Sequence, residues 1–196
     1  RRVWLALGAA LIVVLALAVQ FVLPRSHVLW PPRASNGVTY SLYAHVPEAC
    51  RATPCPALYI LDGDLWMPTF ARVVDERVRA HRMAPIVLVG IGYRDFWNVA
   101  WRRKHDFTPA FGRTPNRTGG ADAYLEVLRS ELIPYAEAHL PISHETRGLA
   151  GHSYAGLLAT YALQRAPDLF DHYIIMSPAL WFDGGQIYEQ PFAAAT

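Results

Sequence analysis

Ser153 lies in the run GLAGHSYAGLL, residues 148–158, where an apolar strand-like stretch gives way at once to a helical one. A serine at so sharp a strand-to-helix bend has its hydroxyl lifted clear at the carboxyl edge of a sheet, the G-x-S-x-G-like setting of a nucleophile in acyl transfer. The bend imposes strained angles on the serine and draws the helix start against the strand, which leaves little room for Cβ atoms at Gly151 and position 155. Position 155 is alanine, one methyl more than the pattern asks, with Gly156 following. A second reading needs no chemistry, since serine is also a good N-cap for the helix. The helix start favours the chemical reading. Its free N–H groups and positive dipole end point at any oxyanion formed on Ser153, and the Tyr154 N–H is the first donor. The second donor is expected from the loop Asp62-Gly63-Asp64, where Gly63 lets the backbone bend so that the Asp64 N–H faces the site. The same tripeptide also makes an ordinary Asp-Gly turn. His152 adjoins the serine, but neighbouring side chains diverge at a tight turn, so it is expected to pack against the sheet or line the pocket.

Attack by a serine needs a base for its proton, and with this bend the expected order along the chain is serine, acid, histidine. His172 is the only histidine after Ser153, and it opens the next apolar run as a strand-end residue. Asp183 follows that strand and serves as the acid only by analogy with a minority arrangement. The chain also begins with arginine. We therefore expect a partial sequence, with the remaining strands, helix and histidine beyond Thr196, because a parallel sheet ending here leaves an apolar edge exposed. No metal and no cofactor are expected.

The elements that hold these residues follow from periodicity. Residues 37–46 and 57–61 read as two early strands joined by a loop that carries Cys50 and Cys55. Residues 65–81 place Leu65, Phe70, Val73, Val74 and Val78 near helical spacing. PIVLVGIG, residues 85–92, is apolar on both faces, as in a covered strand of a parallel sheet. Residues 93–120 show no period and read as a long loop overhanging the site. Residues 121–139 form a second helix with Pro134 as a kink, followed by a short strand at 148–150, a helix over 154–165 and a strand over 172–176. Strand and helix alternate, so the fold class is α/β with a largely parallel sheet and helices on both faces.

Composition narrows the partners. Hydrophobic residues make up 53% of the 196 residues and charged ones 17%, which excludes a disordered chain or a charged coiled coil. Lys and Arg number 18 against 16 Asp and Glu, so no broad cationic face is available and no nucleic-acid partner is expected. Residues 3–23 follow two arginines and hold one clearly polar side chain, Gln20, a length that matches a membrane span. Ala16-Leu17-Ala18 also resembles a signal cleavage site. The expected organisation is therefore a signal anchor or signal peptide over 1–24, a linker over 25–36 and one domain over 37–196. That domain is expected outside the cytoplasm, membrane-anchored, secreted or periplasmic. In such a compartment Cys50 and Cys55 form a structural disulfide or stay as two thiols, and their spacing fits neither a redox C-x-x-C nor a zinc site. Asn116-Arg117-Thr118 matches a glycosylation sequon.

Several ordered blocks carry a resemblance: LYILDGD (58–64), IVLVGIGY (86–93), RRKHDFTP (102–109), GLAGHSYAGLLATYAL (148–163) and PDLFDHYIIMSPALWFD (167–183). Together they resemble the putative esterase (esterase D-like) family of α/β hydrolases, in its exported branch of siderophore esterases. The resemblance runs from about residue 37 to 183. It implies the α/β-hydrolase fold, Ser153 as nucleophile and the Tyr154 and Asp64 amides as oxyanion hole. It also implies that residues 102–109 shape the substrate entrance and that Trp181 and Phe182 form pocket wall. Arg103, Lys104 and Asp106 then stand as contacts for an acidic or catecholate substrate, or as a solvated charged loop. The activity implied is hydrolysis of carboxylic esters or siderophore lactones, a small-molecule substrate class, through an acyl-enzyme. A non-catalytic binding module and an acyltransferase of the same fold are the alternatives.

Overall fold

The computed structural model describes residues 27–111 and 118–192. The apolar run at 3–23 and Asn116 of the sequon lie outside the described residues. Among the described residues no helix is long and apolar enough to cross a membrane.

Six strands form one sheet: β1 His27–Leu29, β2 Tyr40–His45, β3 Cys55–Leu61, β4 Val87–Tyr93, β5 Ile142–His152 and β6 His172–Met176, in the order β1-β2-β4-β3-β5-β6. β1 and β2 run antiparallel to their neighbours, whereas β4, β3, β5 and β6 are mutually parallel. Two expectations change here. Residues read as linker supply β1, and the two early strands joined by the cysteine loop are not neighbours, because β4 lies between β2 and β3. The loop itself holds a short helix, α1 Glu48–Ala52, and the Cys50–Cys55 disulfide with Cα atoms 5.4 Å apart.

Helices cover both faces. Leu58 and Ile60 of β3 share a core with Met67, Ala71 and Val74 of α2, Gly63–Arg79. Tyr59 and Leu61, pointing the other way by the strand's two-residue alternation, share a core with Tyr124, Leu128 and Leu158. These come from α4 Ala121–Val127, from the wide turn Leu128–Leu132 and from α6 Tyr154–Arg165, while α5 Ile133–His139 continues the same rod. Each such fully buried aliphatic side chain contributes about 1.5–3 kcal/mol. The expected break at Pro134 is a π-type turn just ahead of it, which accommodates the N–H that proline lacks.

The stretch 93–120 is more ordered than its composition suggests, for it contains α3 Val99–Asp106. This helix is hidden in the sequence because it docks through a carboxylate instead of an apolar stripe. Asp106 is buried. Its Oδ2 accepts from the hydroxyls of Tyr40 (3.0 Å) and Tyr93 (3.1 Å), and its Oδ1 pairs with His105 Nδ1 at 2.8 Å. The short strand expected at 148–150 likewise extends to eleven residues, its polar first half lying at the exposed end of the sheet.

Candidate active site

The carboxyl ends of β3, β4 and β5 adjoin, and the loops leaving them meet at one edge. Ser153 joins β5 to α6 with φ 59° and ψ −117°, a conformation that costs an L-residue about 1–3 kcal/mol and persists only where the surroundings enforce it. Three bonds enforce it. The Ser153 N–H donates to the Met176 carbonyl at 3.1 Å, and the Ser153 carbonyl accepts from the N–H groups of Leu157 (2.9 Å) and Ala179 (3.0 Å). A Cβ at Gly151 would lie 2.3 Å from the Ala155 carbonyl oxygen. The crowding therefore falls on Gly151 and on the Ala155 backbone, and the Ala155 methyl is simply buried. Ser153 stands at the N-cap position, yet its hydroxyl makes no capping bond, so the N-cap reading does not explain it. Tyr154 is the first helical residue, whose N–H has no partner within the helix.

The opposing arm comes from β3. The left-handed residue is Asp62 (φ 54°, ψ 44°) and not Gly63 as the tripeptide suggested. Gly63 is required for a different reason: a Cβ there would sit 2.3 Å from the carbonyl carbon of Gly90, so the start of α2 rests directly on β4. The Asp62 carbonyl accepts from the N–H groups of Leu65 and Trp66, both at 3.0 Å. The Asp64 N–H precedes these first helical bonds and is free of intrahelical partners.

Arg103 of α3 links the arms. Its Nε donates to Asp62 Oδ1 at 2.7 Å and one terminal nitrogen donates to the His152 carbonyl at 3.4 Å. Its guanidinium carbon also lies 5.6 Å from the ring centre of Phe107 and 5.8 Å from that of Tyr154. Asp62 is 5% exposed, and its Oδ2 is buried with no hydrogen-bond partner among the described residues. Burial holds its carboxyl above the usual carboxylate range, and the Arg103 bond and charge offset part of that rise. Beside this pair lies a cavity of about 130 Å³ walled by Asp62, Trp66, Tyr93, Val99, Arg103 and His152. Trp66 meets the His152 ring edge-on at 5.3 Å.

The structure thus brings Arg103, His152 and Asp64 together beside the Ser153 bend and separates Trp181 from them. Trp181 lies against the Tyr154 ring at 5.8 Å, is largely exposed, and walls a different, open hollow with Pro178, Leu180 and Tyr188. Phe182 is core, 4% exposed, and not pocket wall. Lys104 is exposed, and Asp106 is committed to the tyrosine hydroxyls and so is no substrate contact. His172 pairs with Gly148 at the far end of β6, four residues from Met176 beside His152, about 13 Å away at strand rise. The disulfide lies at the start of β3, also remote from Ser153. Asp62 and Trp66 were not singled out from sequence. An aspartate at a strand end, before a glycine, is among the few residues that enter the left-handed region readily, and this was the available signal. Among the described residues no group of three or more His, Cys, Asp or Glu side chains is placed to hold a metal ion.

A family profile described as "Putative esterase" matches residues 33–192. The chain belongs to this family. It is 37% identical over 134 residues to the "Siderophore triacetylfusarinine C esterase" of Aspergillus fumigatus, covering 66% of this chain and 46% of that protein. It is 28% identical over 178 residues to the "Ferri-bacillibactin esterase BesA" of Bacillus subtilis, covering 82% and 60%. The chain therefore spans about half the length of the curated relatives it matches. Among solved structures, the "Siderophore hydrolase EstB from Aspergillus nidulans" superposes with a TM-score of 0.76 at 30% identity over 86% of this chain and 61% of that one. The esterase family's α/β-hydrolase fold is thus the fold of this chain, with its mostly parallel sheet and the serine at the bend after β5.

Proposed function

We propose that Ser153 is the nucleophile of a serine esterase acting on carboxylic esters, and that siderophore lactones are its substrate class. Ser153 Oγ attacks the ester carbonyl, and the tetrahedral oxyanion is held by the N–H groups of Tyr154 and Asp64. Collapse expels the alcohol and leaves an ester on Ser153, which water then hydrolyses. Attack requires a general base for the Oγ proton, and His172 does not supply it, because it pairs with Gly148 at the far end of β6. The observation that carries this reading is the conformation of Ser153: strained, locked by three backbone bonds, and with a hydroxyl that caps nothing. The substrate class rests on the named activities of the two relatives. The test is labelling with a fluorophosphonate. A stoichiometric adduct on the peptide carrying Ser153, absent from S153A, is expected. A folded protein that takes no adduct at Ser153 overturns the proposal and favours a binding module.

A further inference from the structure

We propose that Arg103 is a positioning residue that sets the spacing of the two oxyanion donors by clamping together the loops that carry them. The inference rests on the reading of Ser153 as nucleophile. One guanidinium holds Asp62 Oδ1 at 2.7 Å and the His152 carbonyl at 3.4 Å. Asp62 lies two residues before the Asp64 amide and His152 two residues before the Tyr154 amide. Each donor is therefore one short, rigid step from an atom that Arg103 holds, and the left-handed turn at Asp62 and the strained Ser153 make those steps inflexible.

The guanidinium is itself fixed. α3 is pinned at its far end by buried Asp106, and the aromatic faces of Phe107 and Tyr154 flank the charged group. Asp62 completes the argument. Its carboxylate is buried and bonded through only one oxygen, and burial disfavours its charged form, an effect that the Arg103 bond offsets in part. It gives Arg103 a charged acceptor on the loop leaving β3, while a terminal nitrogen of the same guanidinium reaches the His152 carbonyl at the end of β5. The Nε and one terminal nitrogen of Arg103 are thus committed to the two loops.

The test compares R103K, R103Q, D62N and the R103Q/D62N double variant with the native protein. It uses a neutral ester, 4-nitrophenyl butyrate, an anionic one, 4-nitrophenyl hemisuccinate, and the rate of Ser153 phosphonylation. A displaced donor costs about tenfold to hundredfold in rate. R103Q and D62N are therefore expected to lower kcat and phosphonylation by that factor, with KM for both esters within about threefold of native. R103K recovers part of the rate. The double variant is no slower than the slower single one, since the clamp is broken once. A KM increase confined to the anionic ester overturns the clamp and makes Arg103 a substrate contact. A lowered Tm with unchanged kcat overturns it in favour of a merely structural pair, and multiplicative losses in the double variant overturn it too. The Ser153 reading fails separately: if S153A retains hydrolysis, that reading and the clamp both fall, whereas a silent S153A with active R103Q removes the clamp alone.

Discussion

Two aspartates are buried at the same edge of this sheet and serve opposite ends. Asp106 is 2% exposed and satisfied on both oxygens, by two tyrosine hydroxyls and a histidine. Asp62 is 5% exposed, satisfied on one oxygen only, placed in a left-handed backbone and set beside a cavity. A saturated carboxylate is a fastener: removing it orphans its donors. A half-satisfied one is tolerated where something other than stability is gained, and here it lies next to the strained serine.

The largest effect is expected where the backbone that carries Asp62 is seated. In Gly63→Ala the new methyl would meet main-chain atoms of Gly90 at 2.3 Å, and backbone cannot rotate away as a side chain can. Overpacking of this kind costs about 3 kcal/mol or more, so the urea midpoint should fall steeply and phosphonylation of Ser153 with it. A silent Gly63→Ala would mean that the loop carrying Asp62 floats on the sheet instead of resting on it.

Asp106→Ala comes next. It leaves the hydroxyls of Tyr40 and Tyr93 in a buried site without their acceptor, and each orphaned group costs about 1–3 kcal/mol. A total near 3 kcal/mol, read from chemical denaturation, distinguishes a fastener from an incidental contact.

The same measurement on Asp62→Asn should give a far smaller change, within about 1 kcal/mol at neutral pH, because Arg103 is partly exposed and water takes up its charge. Its pH dependence differs in sign from that of an ordinary ion-paired acid. Burial raises the folded-state pKa of Asp62 above its unfolded value. The contribution of this group is therefore complete below the unfolded value, about pH 4, and is lost as pH rises through the folded one. Asp62→Asn should remove that decline. An unaltered stability profile between pH 4 and neutrality, at about that resolution, would show that Asp62 titrates as though exposed.

The contrast between the two aspartates also marks what could be read from the chain. The bend at Ser153, the alternation of strand and helix and the apolar strand, read at 85–92 and found at Val87–Tyr93, were legible because each is written in local residue types at fixed spacing. The insertion of β4 between β2 and β3 was not, since adjacency in sequence suggests that β2 and β3 pair and only the global sheet order contradicts it. α3 was hidden because Arg102, Arg103, Lys104 and His105 show no apolar stripe, and its anchor, Asp106, finds its partners 66 and 13 residues away. The place of Trp181 came from the family resemblance alone, which does not fix on which side of the Tyr154 ring the side chain falls. The role of Asp62 depended on a backbone angle that the adjacent glycine drew attention away from.

The smallest effect concerns a pair with nearly the same contact distances as Arg103 and Asp62. Arg129 donates to both oxygens of Asp168 at 2.6 and 3.0 Å, but the two side chains are 41% and 54% exposed. The Arg129 bond holds the Asp168 carboxyl below its usual range, so the contribution is present above the unfolded pKa and is lost as pH falls through the folded one, the reverse of Asp62. Water and salt screen most of it. Arg129→Ala should cost less than about 0.5 kcal/mol and lose even that in high salt. If it costs as much as Asp106→Ala, then distance alone sets the worth of a charged pair in this protein, and the distinction drawn between the two buried aspartates from burial and saturation has no basis.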